Sequence, residues 1–349
     1  MNNSFSSQTP AVKKKSPGAN PFVRIFSLLI TVLFILFAAV IFSSGGKLTG
    51  RETPKETLSF NNSIDILSSS VNSETVSFVY SMPVTHILPW NEEPSPNPDP
   101  ALFTENSYQD ETIKVNYWTE RMYGSNLHFA EVEIKHPSQL RTRFAGGEYN
   151  SSVRFIPLTI AQQANAVVAT NADYYAYRSM GIIVRNNVIY RESLLGWDVL
   201  LIDDKGDFHI MTDRKAYKSK FIHNNKIVNS LHFGPSLVID GKVNILNLDS
   251  GCGTKWNHIP SPRTAIGQIG ELHYLMCVVE GRTANSKGVI VEELAETMLN
   301  HGCKQAYNLD GGQSTTMVFN DKAMNVPLWG GERTMSDIVY FATAIPDDK

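Results

Sequence analysis

The sequence predicts an α+β fold built around a mainly antiparallel sheet, with a few packed helices. From about residue 111 onward, short runs of apolar and polar residues are broken by Gly, Asn and Asp, a pattern typical of short strands joined by tight turns. Two segments have the apolar spacing of a helix, and no internal repeat is visible. With 349 residues, 42% of them hydrophobic, the chain can bury a large core, which excludes wholesale disorder.

The strand prediction depends on four runs of residues. They are Leu127–Ile134, Gly181–Tyr190, Val199–Asp203 and Leu231–Ile239. The pair Asn186-Asn187 lies inside the second run, and Asn tolerates the left-handed backbone of a two-residue turn. We therefore expect the second run to form a β-hairpin.

Two helices are predicted from their ends and their apolar faces. Pro157 suits the first turn of a helix that continues through Leu158–Asn165. A second helix runs from about Val291 to His301, and Gly302 suits its C-terminal end. Its apolar stripe consists of Ile290, Val291, Leu294, Ala295, Met298 and Leu299, and Glu292 and Glu293 suit its positive N-terminal end.

The formal net charge of −3 is unevenly distributed along the chain. Residues 1–24 contain four basic residues and no acidic one, so they carry +4 and the rest of the chain carries −7. The basic residues are Lys13, Lys14, Lys15 and Arg24. The remainder has no basic excess of the kind that binds nucleic acid, so we expect no nucleic-acid partner.

An uncharged apolar run, Ile25–Phe42, follows the basic tail. As a helix its 18 residues would span about 27 Å, close to the ~30 Å hydrocarbon core of a bilayer. We expect a retained transmembrane anchor, because the run is longer than the apolar part of a typical signal peptide and no clear Ala-x-Ala site follows it. A cleaved signal peptide is the alternative. The positive-inside rule then places residues 1–24 in the cytoplasm and exports everything after Phe42.

Residues 43–110 are predicted to form a stalk, because they are rich in Ser, Thr, Asn, Glu and Pro. The stretch Pro89–Pro100 cannot hold a helix, and Glu74–Tyr80 is either a short strand or a sticky disordered segment. Residues 111–349 then form a single large domain.

The three cysteines indicate no zinc framework, because the sequence has no Cys-x-x-Cys and no His-x-x-x-His spacing. Cys277 lies in an apolar run and is expected to be a buried small hydrophobe. Cys252 and Cys303 lie in Gly-flanked turns, where they either pair outside the cell or stay free. No cofactor is indicated, and the oligomeric state is not predicted.

Four segments place polar residues where an apolar strand ends, a position that holds side chains rigidly and leaves them open to a ligand. They are Ala169–Tyr175, Pro262–Gly267, Val278–Arg282 and Tyr307–Met317. In the last segment, Gly311-Gly312 lets the backbone turn and approach a ligand closely, with Asp310 before it and Ser314, Thr315 and Thr316 after it. Taken alone, this segment also fits an ordinary hairpin turn in which Asp310 caps its own backbone.

Together these segments resemble the phosphodiester glycosidase family, whose bacterial members are often labelled exopolysaccharide biosynthesis proteins. The resemblance runs from about Asn126 to Ile345 and is strongest from Pro262 to Asp337. The matching segments are Arg263–Gly267, Glu280–Arg282, the Val291–His301 helix, Asn308–Met317, Gly330–Ser336 and His232–Ile239. The chain departs from the family pattern in four places: Ala172-Asp173 replaces Gly-Gly, Glu280 replaces Asp, Gln313 replaces Gly and Thr315 replaces Ser.

The resemblance implies a hydrolase that cleaves the sugar–phosphate bond of a sugar-1-phosphodiester. Arg263, Arg282 and Arg333 are the candidates for binding phosphate, because a guanidinium group binds two phosphate oxygens and stays charged. Asp310 is assigned as the base or nucleophile, with Glu280 as second carboxylate and Asp173 as its alternative. Asn171 and Asn308 are expected to bind the sugar. Ser314 and Thr315 are expected to bind the phosphate, beside the Gly311-Gly312 backbone.

Three other functions stay open at this point. The domain could bind glycans without catalysis, or act as an exo-glycosidase on cell-wall polysaccharide. A metal-dependent phosphodiesterase would use Asp173, Asp310 and Glu280 as oxygen ligands for a hard cation. An exported, anchored domain points to a carbohydrate or sugar-phosphate polymer of the cell envelope as the substrate.

Overall fold

The computed structural model describes residues 87–149, 152–244 and 250–346, and far more of these residues lie in strands than in helices. The strands are β1 Ser107–Gln109, β2 Ile113–Met122, β3 Ser125–Ile134, β4 Leu140–Phe144, β5 Val168–Asn171, β6 Ile182–Arg185, β7 Val188–Glu192, β8 Asp198–Asp203, β9 Phe208–Thr212, β10 Ile227–Leu231, β11 Ser236–Ile239, β12 Lys242–Val243, β13 Arg263–Gly270, β14 His273–Val279, β15 Gln305–Leu309, β16 Met317–Phe319, β17 Lys322–Ala323 and β18 Asp337–Phe341. The α-helices are α1 Pro157–Ala164, α2 Asp213–Lys218, α3 Phe221–Asn224 and α4 Val291–Asn300.

Two larger sheets organise these strands. One has eight strands in the order β1-β2-β3-β14-β13-β15-β11-β12, and the other has five in the order β17-β16-β5-β18-β4. Their neighbouring strands pair antiparallel throughout. A three-stranded sheet, β10-β8-β9, and the hairpin β6-β7 complete the fold. The predicted α+β class with a mainly antiparallel sheet is confirmed.

The two larger sheets share one core and each has a helix on its outer face. Alternate residues of β14, such as Met276 and Val278, enter the same core as Val339 and Phe341 of β18. The intervening residues of β14 pack with α4 on the other face. Helix α1 covers the outer face of the five-stranded sheet. Because both faces are covered, the central strands are apolar on both sides, as in buried sheets generally.

Both predicted helices and the predicted hairpin are present. Helix α1 begins at Pro157 and ends at Asn165, whose φ of 55° is left-handed. Helix α4 begins where the Glu293 carboxylate accepts the Ile290 N–H at 3.0 Å, and Gly302 follows it with a φ of 86°. Asn186 and Asn187, with φ of 45° and 70°, form the turn between β6 and β7.

The run Leu231–Ile239 differs from the prediction, because it is divided between two sheets. Leu231 ends β10, which pairs with β8, whereas Ser236 begins β11, which pairs with β15. The chain bends between them at Gly234, whose φ is 79°. A continuous apolar run shows burial but not which sheet each half joins, and so the division was not visible in the sequence.

The predicted stalk differs from the structure at its C-terminal end, because residues 87–110 pack on the domain. Leu88 and Tyr108 are buried, and β1 pairs with β2. The buried guanidinium of Arg141 donates to the carbonyls of Pro89, Trp90 and Glu92 at 3.1, 2.9 and 2.8 Å. A Pro-rich segment cannot form a helix, but its carbonyls are satisfied here by one distant side chain.

The basic tail, the predicted anchor Ile25–Phe42 and the stalk up to residue 86 lie outside the described residues. Within the described ranges, none of the helices has the length and apolar character needed to cross a bilayer.

Candidate functional site

Three strand ends meet at one edge of the eight-stranded sheet. Arg263 begins β13 and pairs with Val279 at the end of β14, and β15 ends beside them at Leu309. Glu280 and Asp310 therefore leave the sheet next to the start of β13. The register of the sheet brings together three of the four polar segments seen in the sequence.

The fourth segment reaches this edge from the five-stranded sheet. Strand β5 ends at Asn171, whose Nδ2 donates to the Asp310 carbonyl at 2.7 Å. Its Oδ1 accepts from the Thr264 hydroxyl at 2.9 Å and from the Thr316 N–H at 3.2 Å. Because Asn171 is fully buried and bonded at both ends, it holds the backbone of Asp310 in place.

Asp310 lines a cavity of about 140 Å³ at this junction. Arg263, Arg282, Trp256 and Gly312 line the same cavity. Asp310 is only 7% exposed, and its Oδ2 makes no hydrogen bond within the described ranges. One carboxylate oxygen is thus buried beside the cavity without a hydrogen-bond partner among the described residues.

The protonation of Asp310 is set mainly by its burial. Desolvation raises the pKa of this carboxyl to about 6, and the negative charge of Asp173 acts in the same direction. The nearby Ser314 hydroxyl and the charge of Arg333 oppose this shift. A carboxyl group whose pKa lies near neutral pH is suited to accepting and releasing protons.

Several buried polar atoms around Asp310 make no hydrogen bond within the part of the chain that the structure describes. They are Asn308 Oδ1, Thr315 Oγ1, Thr316 Oγ1 and Thr170 Oγ1. The first three belong to the chain on either side of Asp310, and Thr170 lies on β5 opposite Met317. Buried polar groups are normally paired, so these unpaired atoms set the surroundings of Asp310 apart, although none of the four residues lines the cavity.

Asp173 is buried in a network of positive charge. Its oxygens lie 3.1 Å from Arg178 Nη2 and 3.3 Å from Arg185 Nη2, and they accept the backbone N–H groups of Tyr175 and His232, both at 2.9 Å. Burial opposes ionisation, but the two arginines lower the pKa of Asp173 to about 2. The structure therefore places Asp173 as a permanently charged support behind the site.

Glu280 is also fully bonded. Its Oε1 accepts from His128 Nε2 at 3.1 Å and from the Val326 N–H at 2.8 Å, and its Oε2 accepts from Asn126 Nδ2 at 2.9 Å and from Ser286 Oγ at 3.1 Å. Burial opposes ionisation, but these hydrogen bonds keep the pKa of Glu280 below its ordinary value. Glu280 ties four chain segments together and is not among the residues that line the cavity.

The three arginines have different surroundings. Arg263 donates to the carbonyls of Trp256 at 2.7 Å and Val289 at 3.1 Å, so it fixes the loop before β13. Burial lowers its pKa to about 10, and the neighbouring charge of Arg282 acts in the same direction. Arg282 is exposed, donates to Ser261 Oγ at 2.8 Å and lies 5.0 Å from the centre of the Trp256 ring. Because Arg282 is exposed and lines the cavity, its other donors remain accessible from solvent.

Arg333 enters the site from the segment before β18. Its guanidinium lies 5.1 Å from the centre of the Tyr177 ring. Burial acts against its charged form, but Tyr177 and Asp310 raise the pKa of Arg333. Arg333 is thus the arginine whose charge acts directly on Asp310.

The Gly311-Gly312 segment is not a hairpin turn, because β15 and β16 belong to different sheets. A Cβ atom on Gly311 would lie 2.7 Å from the Pro262 carbonyl oxygen, so a side chain has no room there. Gly312 has a φ of 64° and donates its N–H to the same carbonyl at 3.0 Å. The two glycines let the chain cross between the sheets directly beside Asp310.

The carboxylates do not converge as metal ligands. In residues 87–149, 152–244 and 250–346, no group of three or more His, Cys, Asp or Glu side chains is arranged to hold a metal ion. Cys252, Cys277 and Cys303 are all free. Cys252 lines the cavity with Asp310, whereas Cys303 is buried in the core under α4.

A family model described as phosphodiester glycosidase matches residues 164–342. This region covers just over half of the chain and includes all twelve site residues predicted from the sequence. The chain belongs to the phosphodiester glycosidase family.

Curated relatives of this family member match it over different lengths. The SPbeta prophage-derived uncharacterized protein YomE of Bacillus subtilis (strain 168) is 26% identical over 262 residues, which cover 72% of this chain and 40% of YomE. Human N-acetylglucosamine-1-phosphodiester alpha-N-acetylglucosaminidase is 31% identical over 98 residues, which cover 26% of this chain and 19% of the human protein. The chain thus spans less than half the length of either relative.

Two solved structures share the fold of this family member. The catalytic domain of zebrafish N-acetylglucosamine-1-phosphodiester alpha-N-acetylglucosaminidase aligns with a TM-score of 0.56 and 19% identity, over 67% of this chain and 85% of that one. A hypothetical protein from Synechocystis aligns with a TM-score of 0.53 and 13% identity, over 66% of this chain and 62% of that one.

Several residues at the candidate site of this family member were not predicted from the sequence. Trp256, Phe233 and Cys252 line the cavity, and Tyr177 supports Arg333. Trp256 had a visible signal, since a large aromatic residue in a Gly-rich polar loop is seldom needed for packing. Tyr177 carried no comparable signal, because its importance depends on Arg333, which is distant in sequence.

Proposed function

We propose that this protein hydrolyses the bond between the anomeric carbon of a sugar and the phosphate of a phosphodiester. The observation that carries the proposal is the environment of Asp310. Among the residues that line the cavity it supplies the carboxylate, with one oxygen unbonded and with its pKa near 6. The names of the human and zebrafish relatives make a GlcNAc-1-phosphodiester the first substrate to test.

A phosphate leaving group explains why the reaction needs only one carboxylate, as the base, and no second carboxyl group to protonate the leaving group. The departing phosphomonoester has a second pKa of about 6, so it leaves without the proton donation that a sugar alkoxide requires. Its negative charge needs positive groups instead. Arg282, with unused donors at the cavity, and the buried charge of Arg263 supply them.

In the proposed reaction, ionised Asp310 takes a proton from a water molecule as the water oxygen bonds to the anomeric carbon. The bond from that carbon to the phosphate oxygen breaks, and its electron pair leaves with the phosphate. The products are a free sugar and a phosphomonoester, and Asp310 returns the proton to solvent. The lining residues offer no second carboxylate to release a covalent sugar intermediate, so we infer a single displacement that inverts the anomeric configuration. NMR of the newly released sugar tests this directly.

Replacing Asp310 with Asn tests the central assignment. The amide would keep the shape of the side chain but would not accept the proton, so turnover of a GlcNAc-1-phosphodiester should fall by at least ~10²-fold. Free sugar and phosphomonoester are measured separately, and circular dichroism checks the fold. Asp321→Asn, in the exposed turn between β16 and β17, is the matched control and should keep full turnover. Near wild-type turnover by Asp310→Asn would refute the assignment.

The same assay separates the other functions. Binding of a wall or capsular polymer without any release of phosphomonoester would identify a glycan-binding module. Faster release from p-nitrophenyl glycosides than from sugar-1-phosphodiesters would identify an ordinary exo-glycosidase. Either result would replace the proposed reaction.

We further propose that the protein is anchored by Ile25–Phe42 with its domain outside the cytoplasm, facing envelope polymers. The basic residues 1–24 beside the uncharged run support this orientation. Protease added to intact cells should degrade the domain while the protein sediments with membranes. Release of a shortened chain into the medium would show cleavage instead of anchoring.

A further inference from the structure

Two clusters of exposed aromatic rings and cations flank the candidate site. In the Trp256 cluster, the Arg282 guanidinium lies 5.0 Å and Lys255 Nζ lies 5.3 Å from the ring centre of Trp256. In the Tyr177 cluster, the guanidinium groups of Arg333 and Arg154 lie 5.1 and 5.5 Å from the ring centre of Tyr177. Tyr174 stacks on Tyr177 with ring centres 4.5 Å apart.

The clusters belong to different sheets, with Asp310 at the junction. Arg282 follows β14 of the eight-stranded sheet, and Trp256 lies in the loop before β13. Tyr174 and Tyr177 follow β5, and Arg333 precedes β18, in the five-stranded sheet. The segment after Asp310 crosses from β15 in the first sheet to β16 in the second. The two clusters therefore come to the Asp310 junction from two different sheets.

Each cluster is connected to the reacting carboxylate. Trp256 and Arg282 line the same cavity as Asp310. On the other side, the charge of Arg333 acts on Asp310, and Tyr174 packs edge-on against Phe233, which also lines the cavity, with ring centres 6.4 Å apart. The Trp256 cluster thus shares the cavity with Asp310, and the Tyr177 cluster is connected to it through Arg333 and Phe233.

The composition of both clusters fits a chain in which sugars and phosphates alternate. The apolar face of a sugar ring packs on an aromatic ring, and guanidinium or ammonium groups bind phosphate oxygens. Trp256 is 43% exposed and Tyr177 is 41% exposed, so part of each ring, together with the cations beside it, can meet a ligand that continues past the cavity. The cavity, at about 140 Å³, is too small for more than about one unit of such a chain. A site for a terminal sugar needs a closed wall beyond that sugar, whereas here a partly exposed aromatic ring lies beside each of the two sheets that meet at Asp310.

We propose that this site takes an internal linkage of an anionic sugar-phosphate polymer, with units on both sides of the cleaved bond held by the Trp256 and Tyr177 clusters. The inference rests on the proposed function and adds the substrate class and the mode of attack. Water adds across the sugar–phosphate bond as before. One product chain ends in a free reducing sugar, and the other ends in a phosphomonoester.

The first test is the size of the products. The full chain is incubated with size-fractionated poly(N-acetylglucosamine 1-phosphate) and, separately, with a small GlcNAc-1-phosphodiester. When a tenth of the linkages is cleaved, we expect the mean polymer length to fall several-fold with little free monosaccharide. Release of single units from chains that stay long would overturn the proposal. Cleavage of the small diester but not of the polymer would overturn it too, while leaving the proposed function intact. Cleavage of neither substrate would refute both.

The second test uses the clusters themselves. Trp256→Ala and Tyr177→Ala should each lower the ratio of kcat/KM on the polymer to kcat/KM on the small diester by at least tenfold. Tyr217→Ala is the matched control, because Tyr217 is 53% exposed on α2 and lies outside both clusters; the ratio should not change. Thermal unfolding of each variant shows whether the fold is retained. An unchanged ratio in folded Trp256→Ala and Tyr177→Ala would contradict the two-sided site.

Discussion

At the scale of single residues, two carboxyl groups of the same kind have opposite properties. Burial dominates at Asp310 and raises its pKa to about 6. At Asp173 burial is outweighed by Arg178 and Arg185, and the pKa falls to about 2. Asp310 can therefore exchange a proton near neutral pH, while Asp173 stays charged throughout. This separation supports the proposed chemical role of Asp310 and a supporting role for Asp173.

The raised pKa of Asp310 predicts how activity depends on pH. The proposed reaction needs the ionised carboxylate, which becomes protonated below about pH 6. The value of kcat/KM for a sugar-1-phosphodiester should therefore be level above this pH and fall about tenfold per pH unit well below it. A pH–rate profile of the wild-type protein measures this acidic decrease in kcat/KM. A profile that rises on acidification would mean that the protonated form is required, which would contradict the role as base.

The stability of Asp310→Asn checks the same pKa independently. The ordinary pKa of Asp is 3.8, so above about pH 6 the folded protein holds a buried charge that the unfolded chain solvates. This costs about 3 kcal/mol, and the cost disappears below about pH 4, where the carboxyl is protonated in both states. By urea unfolding, the variant should be more stable than the wild type at pH 7.5 and equal to it near pH 4. A less stable variant at pH 7.5 would show that the charge of Asp310 is well solvated or paired.

The sequence identifies Asp310 more readily than it identifies the roles of its neighbours. Asp310 follows an apolar strand and precedes two glycines, and these are local signals. The role of Glu280 depends on Asn126, 154 positions away, and on Val326, 46 positions away. Asn171 is similar, because its partner carbonyl belongs to Asp310, 139 positions away. A polar residue at a strand end is visible in one sequence, but whether it faces a ligand or another chain segment is not.

At the scale of elements, the sequence predicts best those segments whose structure depends on residues close together in the chain. Helix α1 is one such segment, because a proline begins it and Asn165 follows its last residue. The β6-β7 hairpin is another, because Asn186-Asn187 forms its turn. The division of the run Leu231–Ile239 into two strands is not predictable in this way, because its two halves pair with β8 and β15. Those partners lie far along the chain, so no local pattern shows them.

The segment 87–110 shows the same limit for irregular structure. Its composition correctly excludes a helix in Pro89–Pro100, where the structure has none before Pro100. Composition does not show that Ser95 meets the hydroxyl of Tyr340 at 3.1 Å or that Asn165 binds the Ser95 carbonyl at 2.7 Å. Irregular backbone is ordered here by side chains of the domain.

At the scale of the whole molecule, the sheet order explains why the site needs both halves of the domain. The eight-stranded sheet supplies Arg263, Arg282 and Asp310, and the five-stranded sheet supplies Asn171, with Arg333 just before β18. The charge outside the basic tail is −7, so the proposed binding of an anionic substrate would depend on individually placed arginines and not on a general positive field.

The packing of residues 87–110 makes them part of this assembly. Arg141 is completely buried, and three of the carbonyls to which it donates belong to Pro89, Trp90 and Glu92. If residues 87–110 are removed, the buried Arg141 charge loses these hydrogen-bond partners. The surfaces of the domain that pack against Leu88 and Tyr108 then become exposed to solvent. A domain that began at residue 111 would lack these contacts.

We therefore expect a chain beginning at residue 111 to be much less stable than one beginning at residue 79, which keeps residues 87–110. Loss of two buried apolar side chains and of the Arg141 partners amounts to roughly 5 kcal/mol or more. For a domain of this size, that lowers Tm by at least ~10 °C. Differential scanning calorimetry of the two chains measures the change, and Arg141→Ala in the longer chain should reproduce part of it. Equal Tm values would show that residues 87–110 are a stalk after all, resting on a domain that does not need them.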